Sequence, residues 1–183
     1  MGRHYQILLP LLSLFFVRVD LTDLIPLNIP VELIQVLDGD SLEVSKGNFK
    51  YRVRLTYVDA PESGQKSFKR NFNAGLYAKD CLKSLLPRKF KLTIHGFDQY
   101  HRVLGEVEGV NLRLVRKGCV SLYPYTKFTN KYEKSLYVRA YFKARNERVG
   151  LWKYGGFKNP MSYRQSLKRK SNTRSRGHHF VSK

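Results

Sequence analysis

Acidic residues are scarce in this chain. Of its 183 residues, 14 are Asp or Glu and 34 are Lys or Arg, which gives a formal net charge of +20 at pH 7. A field of that sign attracts polyanions, and nucleic acid is the commonest large one. An anionic membrane surface would satisfy the same charge, so the charge indicates a class of partner and not a reaction.

Long apolar runs are missing as well. The basic start of the chain is followed by an apolar run of eleven residues, 7–17, well short of the ~20 residues that span a bilayer. Such a run fits an export signal, but no alanine occurs before Ala60, so no A-x-A cleavage sequence follows it. We expect residues 1–30 to direct export, so that the protein is secreted, periplasmic or anchored to a membrane. The alternative is an apolar helix packed on a cytoplasmic protein.

The chain contains two cysteines, Cys81 and Cys119. They could form one bridge, but each lies in an apolar pattern, and cysteine is among the most buried residue types. The pattern therefore favours two separate buried thiols.

Alternation of apolar and polar residues is the main signal of secondary structure. Hydrophobic residues make up 42% of the chain, which is enough for a packed core and excludes disorder of the whole chain. The period-2 pattern predicts strands at residues 31–37, 41–45, 49–57, 90–94 and 103–107.

Helical spacing appears between and after these strands. It predicts a helix at 72–86, a short helix at 111–117 with Asn111 as its N-cap, and a helix from Asn130 to about residue 146. Five strands with a helix between the third and fourth predict a mainly β protein with α (α+β). Its core is a five-stranded OB-fold-like barrel with about three helices packed against it.

The composition divides the chain into three parts. Residues 1–30 form the apolar segment and a linker, 31–156 form the folded domain, and 157–183 form a basic tail. Residues 164–183 carry seven Lys or Arg and no acid. We expect the tail to be a disordered arm that adds nonspecific affinity for polyanions.

Asp40 and Asp59 are candidate metal ligands. Asp40 ends the turn Asp38-Gly39-Asp40 at the start of the second strand, and Asp59 lies at the far end of the third. If these strands pair as a hairpin, the two carboxylates approach each other, because adjacent strands lie about 4.8 Å apart. They could then bind one hard divalent cation, with the carbonyl of Ala60 as a further ligand. Each aspartate alone would suit a simple turn; together they favour a site.

Three charged residues complete a candidate catalytic set. Glu62 follows Asp59 beyond Pro61, and a carboxylate there can accept a proton from attacking water or orient that water. Arg54 and Arg102 are candidates for phosphate recognition, since a guanidinium donates two parallel hydrogen bonds and stays charged.

Tyrosines are candidates for substrate contact. Tyr100, Tyr123 and Tyr125 fall in predicted loops or at strand ends, where the ring can stack on a base or the hydroxyl can bind a phosphate. Core packing is the alternative role for these residues.

The motifs resemble those of the thermonuclease (staphylococcal nuclease) family. Asp40-Ser41, residues 54–62, residues 98–102 (Asp-Gln-Tyr-His-Arg) and Gly150-Leu151-Trp152 match in order, over 31–152. His101 stands where the family has glycine, a residue that readily adopts positive φ. The resemblance implies an OB-like barrel that hydrolyses DNA and RNA with Ca²⁺ and little sequence preference.

The same resemblance assigns roles to individual residues. Asp40, Asp59 and the Ala60 carbonyl would bind Ca²⁺, Glu62 would be the general base, and Arg54 and Arg102 would clamp the phosphate. We expect a monomer with DNA and RNA as partners, and membrane association through the N-terminal segment.

Two other functions compete with this hypothesis. One is a nuclease-like barrel that only binds nucleic acid; the other is a cationic protein of the membrane surface. Neither explains why three acids remain in a face that must attract phosphate.

Overall fold

The computed structural model describes residues 27–69 and 71–177, with side chains as far as Arg169. The predicted export or anchor run lies outside the described residues, as does the end of the basic tail. Within the described part of the chain, no helix is long and apolar enough to cross a membrane.

A barrel is formed by five strands: β1 (Leu27–Val36), β2 (Ser41–Lys46), β3 (Phe49–Leu55), β5 (Lys89–Phe97) and β6 (Val103–Val107). They close in the order β1-β2-β3-β6-β5. Neighbouring strands are antiparallel except β3 and β6, which pair in parallel. The predicted five-stranded, OB-like α+β fold is confirmed.

The interior of the barrel is filled by the apolar half of each alternating strand. Leu42 and Val44 of β2 and Val53 and Leu55 of β3 are each at most 1% exposed. Burying one such side chain stabilises the fold by about 1.5–3 kcal/mol. The apolar positions of the period-2 pattern are thus the side chains that fill the barrel, and their burial stabilises it.

The third strand ends earlier than the sequence predicts. Tyr57 has φ 70, a left-handed conformation that breaks an extended strand. The next two residues form the separate strand β4 (Val58–Asp59), which pairs with β7 (Ser121–Leu122) in a small second sheet. Asp59 therefore does not lie on the third strand, and the prediction that it does is wrong.

Three helices pack against the barrel as expected: α1 (Ala74–Leu85), α2 (Val110–Arg116) and α3 (Lys131–Asn146). The side chain of Asn130 accepts a hydrogen bond from the backbone N–H of Glu133, so its predicted capping role is confirmed.

The predicted capping role of Asn111 is wrong, because the N-cap of α2 is Gly109. Asn111 is buried and accepts from Val107 N and donates to the Thr56 carbonyl, so it joins α2 to the barrel.

Cys81 and Cys119 form a disulfide, so the prediction of two separate thiols is wrong. Cys81 lies on α1 and Cys119 follows α2, and the packing brings their Cα atoms to 6.3 Å. That separation is within the range a disulfide spans. The bond links two helical parts of the chain on the same side of the barrel.

The expected disordered tail contains a helix instead. The chain forms a 3₁₀ turn at Gly150–Tyr154 and then α4 (Pro160–Gly177). The side chain of Asn159 accepts from Ser162 N at 3.2 Å, an N-cap bond, and Pro160 suits the first helical position. The prediction of disorder from residue 157 is therefore wrong for this segment.

Candidate active site

Arg54 joins the two aspartates that the sequence singles out. It lies near the end of β3, opposite Ser41 of β2, and Asp40 directly precedes Ser41. The guanidinium of Arg54 lies 2.7 Å from Asp40 Oδ2 and 2.9 Å from Asp59 Oδ1. The expected approach of the two carboxylates therefore occurs, with an arginine between them.

The turn that carries Asp40 is held by close packing and by hydrogen bonds. A Cβ on Gly39 would lie 2.5 Å from the Cβ of Ala78 on α1, so only glycine fits there. Asp40 N donates to Asp38 Oδ1 at 3.0 Å, and Asp40 Oδ2 accepts from Ala60 N at 2.5 Å. The helix, the turn and the segment after β4 thus fix the direction of the Asp40 carboxylate.

Burial controls the charge of both aspartates. Asp40 is 6% exposed and Asp59 is fully buried. Burial raises the pKa of Asp40 to about 7, and the charge of Arg54 opposes this rise. Burial also raises the pKa of Asp59, against the opposing charges of Arg54 and Arg164. Carboxylates removed from water in this way are stabilised by a cation beside them.

Glu62 lies on a loop that is braced from two directions. Its backbone N–H donates to Gln65 Oε1 at 3.0 Å, and Gln65 is 1% exposed. A Cβ on Gly75, in the first turn of α1, would collide with the Glu62 carbonyl, so the helix start lies directly against this loop. The backbone of Glu62 is therefore fixed, while its side chain remains over a third exposed.

Arg102 is oriented by Asp98 at the turn between β5 and β6. Nη2 and Nε of Arg102 lie 2.7 and 2.8 Å from Asp98 Oδ2. Partial burial opposes ionisation of Asp98, but the N–H groups and guanidinium of Arg102 hold the Asp98 pKa below its usual value.

His101 lies in the same turn and has φ 59, a conformation that glycine adopts readily.

One groove of about 1000 Å³ collects most of the predicted site residues. Asp59 and Ala60 are buried beside it. The three tyrosines line it, and Tyr100 and Tyr125 are each 67% exposed. The predicted residues that line the groove are Asp40, Arg54, Glu62, Tyr100, Arg102, Tyr123 and Tyr125.

Arg164 of α4 is a member of the site that the sequence reasoning missed. Its Nη1 lies 2.5 Å from Glu62 Oε1, and its Nη2 lies 3.3 Å from Asp59 Oδ1. In the sequence it is one of many basic residues in a stretch expected to be disordered. The pair Asn159-Pro160 was the available signal, because it is typical of a helix start.

Residues 52–154 match the family described as Staphylococcal nuclease homologue. The chain belongs to that family. The match includes Arg54, Asp59, Glu62 and Arg102, begins after Asp40 and ends before α4.

Individual relatives agree with this assignment. The chain is 29% identical over 155 residues to a micrococcal nuclease of Shigella flexneri, which covers 77% of this chain and 83% of that protein. It is 30% identical over 142 residues to an uncharacterized endonuclease of Haemophilus influenzae, 74% of this chain and 73% of the relative. An uncharacterized endonuclease of Escherichia coli is 35% identical over 97 residues, 50% and 59% of the two chains. Homologues with these names support a staphylococcal-nuclease-like nuclease, a hydrolase.

The oxygen atoms in and beside the groove suit a hard divalent cation. Among the described residues, no three His, Cys, Asp or Glu side chains cluster as ligands. Two aspartates nevertheless converge on Arg54, and carboxylate and carbonyl oxygens are the ligands that Ca²⁺ takes. This buried pair of carboxyl groups thus supplies oxygen ligands of the kind that such an ion takes.

Proposed function

We propose that the chain is a calcium-dependent, sugar-nonspecific nuclease that hydrolyses phosphodiester bonds of DNA and RNA. The observation that carries the proposal is the convergence of Asp40, Asp59 and Glu62 on guanidinium groups that line one groove of a strongly basic protein. A protein that only binds phosphate gains nothing from three acids there, since they repel its ligand.

The carboxylates of Asp40 and Asp59, with the carbonyl of Ala60, would hold Ca²⁺. The ion would supply positive charge beside a phosphate oxygen. The network around Asp40 keeps the aspartates in place, because the N–H of Ala60 and the guanidinium of Arg54 both bind Oδ2 of Asp40.

Arg54 and Arg102 would bind the phosphate. Negative charge gathers on the phosphate oxygens in the transition state, so guanidinium groups already in position stabilise it more than the ground state. Arg102 is pre-oriented by Asp98, and Tyr100 lies 5.7 Å from the Arg102 guanidinium. The exposed rings of Tyr100, Tyr123 and Tyr125 would stack on bases without reading their identity.

Glu62 would accept a proton from the attacking water or orient it. Its backbone is fixed by Gln65 and its carboxylate lines the groove. A general base placed in this way contributes about 10²–10⁴-fold to the rate.

The test is cleavage of single-stranded DNA, double-stranded DNA and RNA by the full chain, with calcium and with chelator. We expect calcium-dependent cleavage of all three substrates, abolished by chelator. The Glu62→Gln variant should lose about 10²-fold or more in rate. Glu108→Gln is the matched control, because Glu108 is exposed and lies outside the groove.

The alternative is a barrel that binds nucleic acid without cleaving it. Salt-sensitive binding that survives chelator, with no cleavage under any condition, would favour this alternative and contradict the nuclease proposal.

We also propose that the protein is exported, as a monomer, with its N-terminal segment as signal or anchor. The disulfide supports this, because such bonds persist in oxidising compartments and are rare in the cytosol. Fractionation of a bacterium that makes the full chain, followed by thiol trapping, should find oxidised protein outside the cytoplasm. Reduced protein confined to the cytoplasm would contradict the proposal.

A further inference from the structure

Arg164 contacts two of the three carboxylates that the proposed reaction uses. Its guanidinium binds Glu62, the proposed base, and Asp59, a proposed metal ligand. Asp59 thereby contacts two guanidinium groups, because Arg54 also binds its Oδ1, at 2.9 Å. A cation bound to Asp59 would therefore lie close to the positively charged guanidinium of Arg164, and the two charges would repel each other.

The start of α4 is fixed to the loop of Glu62. Gln65 donates from Nε2 to the Lys158 carbonyl at 2.6 Å while its Oε1 accepts from Glu62 N. Ser67 and Phe157 form a β-bridge just before the helix. One buried glutamine therefore connects the backbone of the proposed base with the residue that leads into α4, which places Arg164 near Glu62.

The Arg164 side chain has space to leave these contacts without movement of the helix. It is 38% exposed and lines the groove beside Gln165. An arginine side chain has four rotatable bonds, so rotation into the groove needs no change of backbone. The groove is where the proposed substrate phosphate would bind, and a guanidinium turned into it would find a new acceptor.

From this geometry we infer that Arg164 competes with the divalent cation for Asp59, covers the proposed base Glu62 at the same time, and so sets the metal affinity of the site. The inference rests on the proposed function, because it takes Asp59 as a metal ligand and Glu62 as the base. In the metal-free protein Arg164 neutralises the two acids. Binding of the cation requires that Arg164 release Asp59, and the free energy of this release weakens metal binding.

The experiment is titration of the full chain with Ca²⁺ by calorimetry, without nucleic acid. We expect Arg164→Ala to bind Ca²⁺ about fivefold or more tightly than the unmodified chain, the usual range of a coupling between two sites. Arg164→Lys keeps the charge but loses the planar fork, and its affinity should lie between the two. Arg139→Ala removes the same charge from the exposed face of α3 and should leave the affinity unchanged.

A second measurement reports the contact itself. A double-mutant cycle of Arg164→Ala and Glu62→Gln, followed by chemical unfolding, should show coupling in chelator. Saturating Ca²⁺ should remove that coupling. Absence of coupling in chelator, or equal coupling with and without Ca²⁺, would overturn the inference.

The two proposals fail in different ways. If the unmodified chain binds Ca²⁺ and cleaves DNA but Arg164→Ala binds the ion no more tightly, the competition is wrong and the nuclease stands. If the unmodified chain neither binds Ca²⁺ nor cleaves, the proposed function is wrong, and the inference falls with it.

Discussion

The guanidinium of Arg54 lies 2.9 Å from the fully buried carboxylate of Asp59. Arg54 itself is nearly buried, and its second nitrogen binds Asp40 at 2.7 Å. One guanidinium therefore contacts two carboxylates removed from water, and Asp59 contacts Arg164 as well. Such an arrangement makes stability and activity depend on the same residue.

Replacement of Arg54 by alanine should harm both properties. Buried Asp40 would lose its guanidinium and Asp59 one of its two, and a broken buried pair costs about 3–5 kcal/mol of the free energy of unfolding. Removal of one charge-stabilising donor should lower the cleavage rate by about 10²–10³-fold. Denaturant unfolding and single-turnover cleavage measure the two effects. The control is Arg52→Ala, because Arg52 is an exposed residue of the same strand. It should change the free energy of unfolding and the cleavage rate much less than Arg54→Ala does.

Gln65 should act on the reaction through the position of Glu62. Gln65→Leu removes both side-chain hydrogen bonds and leaves Glu62 N and the Lys158 carbonyl without that partner. We expect a loss of about 1–3 kcal/mol in stability. We also expect a lower kcat with little change in KM, because the base moves while the phosphate clamp remains. A higher KM with an unchanged kcat would contradict this role.

His101 should carry backbone strain that glycine relieves. A φ of 59 costs a residue with a Cβ roughly 1–2 kcal/mol. Glycine avoids this strain, but it loses more backbone entropy on folding, which offsets part of the gain. His101→Gly should therefore raise the free energy of unfolding, by up to about 1 kcal/mol. Cleavage should be retained, since Asp98 continues to orient Arg102. His101→Ala, which keeps the strain, is the control and should bring no gain.

Loss of the disulfide should destabilise the fold. Cys81 and Cys119 are 38 residues apart, and a cross-link that closes a loop of this size is worth about 2–4 kcal/mol. The double variant Cys81→Ala/Cys119→Ala should melt at a lower temperature than the oxidised protein. Reductant should lower the melting temperature of the unmodified protein and leave that of the double variant unchanged. Equal sensitivity of both would mean that the effect is not due to this bond.

The barrel could be predicted from the sequence because its cause is local. Alternation in β2 and β3 records which side chains face the interior, and this alternation is independent of the rest of the chain. The break at Tyr57 was not predictable, since an aromatic residue in an alternating run normally continues a strand.

Long-range packing accounts for the other errors. The disulfide depends on how α1 and α2 meet, which the spacing of two cysteines does not record. Asn111 has the residue type of an N-cap but serves as a buried link between helix and barrel. Arg164 reaches Glu62 across 102 positions of sequence, so no local pattern could single it out among the basic residues.

The helix α4 follows the barrel in the chain and interrupts none of its strands. Substitutions along its exposed residues therefore change no strand of the barrel. In an engineered or evolving lineage, the proposed competition for the ion could be adjusted on this helix while the strands that carry Arg54 and Asp59 stay as they are.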